Sequence, residues 1–271
     1  MKIPGWLQYR KFHFQIDEDA RAGISGGRTS GLMAALLARH SAGVLMTFQN
    51  TGLESPGTYE FLQRLQDGIE QEIVWLEYRS PRNLDDLNSG GRPETFGWEI
   101  VTPQTASRGG EPFYQFLSDM REFRRRRGKG PFAPHPRFRF CTSYLKMRVG
   151  RAYAHTRFRD GYKSLIGLRA DEPHRVAGLR NHTRFFPEEE AVAPLAESDI
   201  TKADVLRFWS EQSFDLNLRE WEGNCTKCFL KSEALLSDAF AEYPEDNEIW
   251  LRMERRSEER RVGKECLRLC R

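Results

Sequence analysis

No run of the roughly 18 apolar residues that a membrane span needs occurs in the 271 residues. The stretch Met1–Arg21 alternates aromatic and charged residues and lacks the apolar centre of a secretory leader. A cytoplasmic location with no membrane partner is therefore the expectation. Cysteine is scarce, and two of the five, Cys266 and Cys270, fall in the last sixteen positions. There Arg256–Cys266 reads RSEERRVGKEC, a translation that resembles a common short-read sequencing adapter. Residues 256–271 are accordingly expected to be read-through rather than native chain, and they are kept out of fold reasoning. Cys141, Cys225 and Cys228 remain, an odd and sparse set that suits a metal or redox role in a reducing compartment better than a disulfide framework. A surplus of charge is also missing. The 42 Lys+Arg and 39 Asp+Glu become 36 of each without the tail, so the basic balance is no argument for a nucleic-acid partner.

Repeats and low-complexity linkers are absent as well. What is present is a chain with 39% hydrophobic and 30% charged residues, ordinary for a folded protein and long enough for one α/β domain with a small appendage. Short apolar runs alternate with amphipathic stretches, the pattern of an open, mostly parallel sheet with helices on both faces. Strands are expected at Ala22–Ser25, Val44–Phe48, Ile73–Tyr78, Ser164–Leu168 and Val192–Leu195. Helices are expected at Ser30–His40, Gly57–Gly68, Pro112–Arg125, Thr142–Arg157, Thr201–Gln212 and Lys231–Tyr243. The helix after Thr201 starts with a capping box, Thr201-x-x-Asp204. Arg79–Gly110, rich in Gly, Pro, Asn and Ser, reads as a long irregular loop. The domain expectation is an α/β nucleotide-binding unit over 1–199 and a helical part over 200–255 that carries the CxxC.

Neither GxxxxGK[ST] nor GxGxxG occurs at the turn after the first strand, which excludes a Walker loop and a dinucleotide fingerprint there. The turn is Ser25-Gly26-Gly27-Arg28-Thr29-Ser30. Glycines let backbone amides close around an anion, and the helix that follows presents its free N–H groups and positive dipole end. Ser25, Thr29 and Ser30 add hydroxyls and Arg28 a charge. A tight βα turn needs glycines too, so this segment alone leaves both readings open. Twenty residues on, the second strand ends in Asn50-Thr51-Gly52-Leu53-Glu54-Ser55-Pro56-Gly57-Thr58-Tyr59, at a carboxyl strand end where open α/β sheets bind ligands.

The two segments, in this order, resemble the SGGxxS and Thr-Gly-to-Pro-x-Thr-Tyr motifs of the phosphoadenosine-phosphosulfate (PAPS) reductase family, within the PP-loop enzymes. The resemblance extends over nearly all of Gly23–Lys231. Gly167-Leu168-Arg169-Ala170-Asp171-Glu172-Pro173-His174-Arg175 resembles the family's G-x-R-x-x-E-x-x-R segment. Two arginines at a turn suit a bidentate grip on phosphate or sulfate oxygens, with Glu172 orienting one of them. The resemblance implies a site for ATP or PAPS with Mg2+ at Ser25–Ser30, Asn50, Thr51, Gly52, Gly167, Arg169, Glu172 and Arg175.

Iron–sulfur members of that family pair a Cys-Cys step with a distant CxxC. Here Phe140 stands in place of the first cysteine, which leaves Cys141, Cys225 and Cys228. Three cysteines with an open iron position resemble the sulfur-inserting tRNA-thiolation branch of the PP-loop enzymes. Thiolates also suit zinc, with His135, His155, His174 or His182 as a fourth ligand. The family's C-terminal Glu-Cys-Gly-x-His motif is not matched. Lys264-Glu265-Cys266-Leu267 lacks the glycine and histidine and lies within the adapter-like string. The resemblance thus implies nucleotide activation or cleavage at a phosphate bridge, followed by sulfur transfer from a donor, in place of PAPS reduction. No catalytic residue is assigned. The basic run Arg124–Arg127 with Lys129 fits a solvated helix end or an RNA or DNA backbone contact. The alternatives are a metal-bearing nucleic-acid-binding protein without catalysis, and a PAPS reductase whose cysteine motif is lost.

Overall fold

The computed structural model describes residues 1–8, 14–16, 18–41, 43–88, 93–130, 132, 139–179, 181, 186, 188–219, 222–242, 244, 247–248, 250 and 251. Six strands form one sheet in the order β4-β3-β2-β1-β5-β6. They are β1 (Ala20–Gly23), β2 (Leu45–Asn50), β3 (Ile73–Tyr78), β4 (Trp98–Val101), β5 (Tyr162–Leu165) and β6 (Glu189–Val192). All neighbours are parallel except β3 and β4, which pair antiparallel with Leu76 opposite Ile100. The mostly parallel α/β sheet expected from the sequence is therefore the observed fold.

Helices cover both faces. On one, α1 (Arg28–His40), α2 (Pro56–Ile69) and α5 (Lys202–Ser210) pack on the sheet. Leu32, Leu36, Phe61, Leu65, Phe208 and Trp209 bury their side chains there against Ala22, Met46, Phe48 and Leu165. Apolar residues at three- and four-residue spacing give each helix the stripe this requires. The helix α5 shares this core: Trp209 meets Phe61 at 4.7 Å between ring centroids and donates its indole N–H to the Arg28 carbonyl. On the other face lie α3 (Glu111–Arg126) and a π-helix (Cys141–Arg148) that runs into α4 (Val149–Ala154). Their aromatic residues, Phe113, Phe116, Phe123 and Phe140, pack with Leu76 and Tyr78 of β3. A further helix, α6, spans Glu233–Glu242.

Three expectations are corrected. The stretch 79–110 is not wholly irregular, since it holds the 3-10 turns Leu84–Leu87 and Pro93–Thr95 and the edge strand β4. That strand has four residues and Ile100 is 54% exposed, so it shows no alternation to read. The expected helix at 142–157 is a π-helix over its first eight residues and ends at Ala154. The expected strand edges of β1, β5 and β6 lie two or three residues too far along the chain.

Candidate functional site

The chain leaves β1 for β2 on one side while β5 pairs with β1 on the other. Such a switch in strand order opens a crevice at the carboxyl ends of the strands. The Ser25–Ser30 turn sits there. Gly26 has φ 77°, and a Cβ on it would stand 2.4 Å from Thr58 Cγ2, so both conformation and space call for glycine. Gly27 is the N-cap of α1 and supplies no side-chain cap, which leaves the first-turn amides open at the crevice. The Ser30 hydroxyl accepts from the Ser25 amide at 3.2 Å and donates to the Gly27 carbonyl, fixing the curve of the turn. Gly167 lies against it, since a Cβ there would be 3.3 Å from Ser30 Cα.

Arg169 arrives from the segment after β5 and donates to Thr29 Oγ1 at 3.2 Å, which puts a guanidinium at the start of α1. Glu172 pairs with both Arg169, at 3.3 Å, and Arg175. Burial raises the Glu172 pKa, but the Arg169 amide and the two guanidinium groups outweigh it and hold the carboxyl below its usual range. Arg28 is turned away from the crevice. Its Nε and Nη2 hold Asp215 bidentately at 2.7 and 2.8 Å, and Nη2 also reaches the Leu216 carbonyl.

The Asn50-Thr51-Gly52 turn is brought beside this loop, but its polar groups are engaged within the protein. Asn50, fully buried, donates to Glu77 Oε1 at 2.6 Å and to the Ser107 carbonyl, and it accepts from Tyr59 and the Gly52 amide. The Thr51 amide and hydroxyl both donate to Glu54. The turn therefore shapes the crevice from behind.

The cysteine segment docks on that turn. Cys225 forms an antiparallel bridge with Glu54, the Thr226 amide donates to the Leu53 carbonyl, and the Ser55 amide and hydroxyl donate to the Asn224 and Gly223 carbonyls. Asn224 then donates to the Ser25 carbonyl at 2.8 Å. Cys141 enters from the first turn of the π-helix, close enough that it and Cys228 each raise the other chain segment's thiol pKa. Burial pushes the Cys141 thiol up and the Cys225 thiol up to about 12. Lys146 Nζ lies 3.3 Å from Glu54 Oε1. Burial acts to lower the Lys146 pKa, but Cys225, Glu54 and Cys141 raise it above the ordinary lysine value. Three soft thiols offer the donor chemistry for an iron–sulfur cluster or zinc. They do not close into a ligand set, for among the described residues no three His, Cys, Asp or Glu are arranged to hold a metal ion. His135, His182 and Cys266 lie outside the described residues.

The basic run at the end of α3 is largely matched by acids: Arg125 and Arg126 both pair with Glu122, and Arg127 with Asp85. Two contributors escaped the sequence reading. Asn224, next to Cys225, was given no role, and the buried Arg21 fell one residue before the expected first strand. No helix among the described residues is long and apolar enough to cross a membrane.

No protein-family model matches the chain. It is 31% identical over 216 residues to the uncharacterized nin region protein ORF290 of Escherichia phage lambda. The match takes in 77% of this chain and 65% of that protein, so the chain spans just under two thirds of its relative's length.

Proposed function

We propose that the crevice binds the phosphates of an adenine nucleotide, ATP or PAPS with Mg2+, and that the chain is a PP-loop enzyme related to the PAPS reductases. The observation that carries this reading is the uncapped start of α1, at the switch in strand order, facing Arg169. Free amides and a dipole favour an anion there, and the guanidinium adds charge-assisted donors. Ser25, Gly26, Gly27, Thr29 and Ser30 would hold the phosphates, with Gly167 leaving room behind them. Arg169 would grip an outer oxygen, and Glu172 would position both Arg169 and Arg175.

The reaction class is activation or cleavage at a phosphate bridge, followed by sulfur transfer in the cytoplasm. Cys141, Cys225 and Cys228 are the thiols that would have to draw together to hold an iron–sulfur cluster, or zinc. The test is unfolding of the full chain with ATP and magnesium, or with PAPS. Ligand at a hundred times its dissociation constant should add about 2.7 kcal/mol. Arg169→Ala should weaken binding by on the order of tenfold or more, the loss of a charge-assisted contact worth ~1.5–3 kcal/mol. Stabilisation by ATP alone supports activation and transfer, and stabilisation by PAPS alone supports a reductase. No shift with either sinks the nucleotide reading.

A further inference from the structure

We infer that a cavity on the π-helix side of the sheet, reached from beside Ser25, binds a small organic anion with an apolar body, and that Arg21 is its counter-charge. The cavity measures about 250 Å³, just under the ~300 Å³ at which pockets for drug-sized ligands begin, and lies between β1, β2, β5 and the π-helix with α4. Met147, Ile166 and Phe186 line it with hydrocarbon, while Arg21, Lys146, Arg148, Arg151 and Glu189 give it a charged side.

Arg21 stands in the middle of β1 and is only 6% exposed. Its Nε donates to Thr47 Oγ1 at 3.0 Å, and Gln49 Nε2 donates to the same hydroxyl at 2.8 Å. Of the other cations lining it, Arg148 donates to the Leu87 carbonyl and lies over the Tyr144 ring, while two have acids. Arg151 pairs with Glu188 and lies 3.2 Å from Glu189, and Lys146 lies 3.3 Å from Glu54. Arg21 has no carboxylate within ion-pair distance among the described residues.

Room is made for its guanidinium. A Cβ on Gly150 of α4 would come 2.0 Å from Arg21 Nη2, so glycine at that position leaves the guanidinium its place. The buried Tyr162 hydroxyl lies near both Arg21 and Glu189, and burial raises its pKa. A buried charge without a counter-charge is costly, and a ligand carboxylate would supply the missing half. Donors gathered at one end and hydrocarbon along the walls select a carboxylate carried on an aromatic or aliphatic body.

The cavity adjoins Ser25 of the proposed phosphate turn, but its probes contain no nucleotide, so the two readings fail separately. Benzoate and its neutral counterpart benzamide are titrated calorimetrically into the full chain and into Arg21→Met. Benzoate is expected to bind in the millimolar range or tighter, benzamide at least tenfold more weakly, and Arg21→Met to lose the preference. Without ligand, Arg21→Met should unfold at or above the wild-type midpoint, because replacing a buried charge by a hydrophobe of similar volume is commonly neutral or stabilising. Four outcomes overturn the inference: no benzoate binding, equal binding of the two probes, a preference retained in Arg21→Met, or a clearly lowered midpoint in that variant. The last would make Arg21 a structural residue.

Discussion

The side-chain amide of Asn224 donates to the carbonyl of Ser25 at 2.8 Å, tying the cysteine segment to the glycine turn across 199 positions of sequence. Its flanking backbone is held by Ser55, so the residue spans two strand-end turns. The same amide nitrogen stands 3.2 Å from where a Cβ on Gly27 would be. Asn224→Ala removes one hydrogen bond, worth about 0.5–1.5 kcal/mol, from the curve of the proposed phosphate turn. ATP affinity should fall by about twofold to tenfold, with a small change in unfolding midpoint. Calorimetric titration of both proteins measures it, and an unchanged affinity separates the thiol segment from the nucleotide site.

Glycines 43 and 52 form a matched pair for the cost of space against the cost of conformation. Both have positive φ, 90° and 77°. A Cβ on Gly43 meets nothing within 4 Å, whereas one on Gly52 falls 2.8 Å from both Gly110 Cα and N, a backbone that cannot step aside. Gly43→Ala should cost about 1 kcal/mol, from the left-handed conformation alone. Gly52→Ala should cost more than twice that, and urea unfolding of the two variants gives the difference. Equal losses would mean that the 102–110 segment moves freely off the turn.

Burial sets the chemistry of Cys225. In metal-free protein its thiol is pushed up to about 12 from 9.0, with the Lys146 charge opposing the shift. Only the thiolate is nucleophilic, so Cys225 should alkylate slowly at pH 8 and speed up towards pH 11, above the range of a free cysteine. The folded pKa lies above the unfolded one, so this group favours the fold below about pH 9. That contribution is lost as the pH rises through the folded value. Mass-spectrometric counting of iodoacetamide adducts against pH tests it, and rapid labelling at pH 8 would contradict the burial.

The capping box at Thr201 was legible because its chemistry is local. The Thr201 and Asp204 side chains each accept from the other's backbone amide, as the four-residue pattern requires. The sheet was legible for a similar reason, since β2 and β3 open on the apolar runs Leu45-Met46 and Ile73-Val74-Trp75-Leu76 and are buried almost throughout. The site was legible where glycine was needed and illegible where partners came from afar. Gly26 announces a turn, but nothing near Arg28 says that Asp215 will hold it, 187 positions on. Nor does Asn50 reveal that Glu77 and Ser107 will use its hydrogen bonds. Arg21 sits on a strand whose other residues are small, and only the packing of α4 shows that it is buried.

Arg28 is one residue past the N-cap of α1, yet the bidentate pair with Asp215 draws its charge away from the crevice. The side chains are 32% and 40% exposed, so the pair itself contributes little, about 0–1 kcal/mol. Asp215→Asn removes a negative charge beside the start of α1 and keeps one carbonyl acceptor for the guanidinium. The potential at the turn becomes more positive, and an anion there is bound more tightly in proportion. ATP affinity should rise about twofold to fivefold at low salt, and the gain should shrink as salt approaches physiological strength, where screening acts over ~8 Å. Titrations at two salt concentrations decide the matter. A rise insensitive to salt would point to a moved backbone instead of a changed field, and a fall would show that Arg28 already serves the site through Asp215.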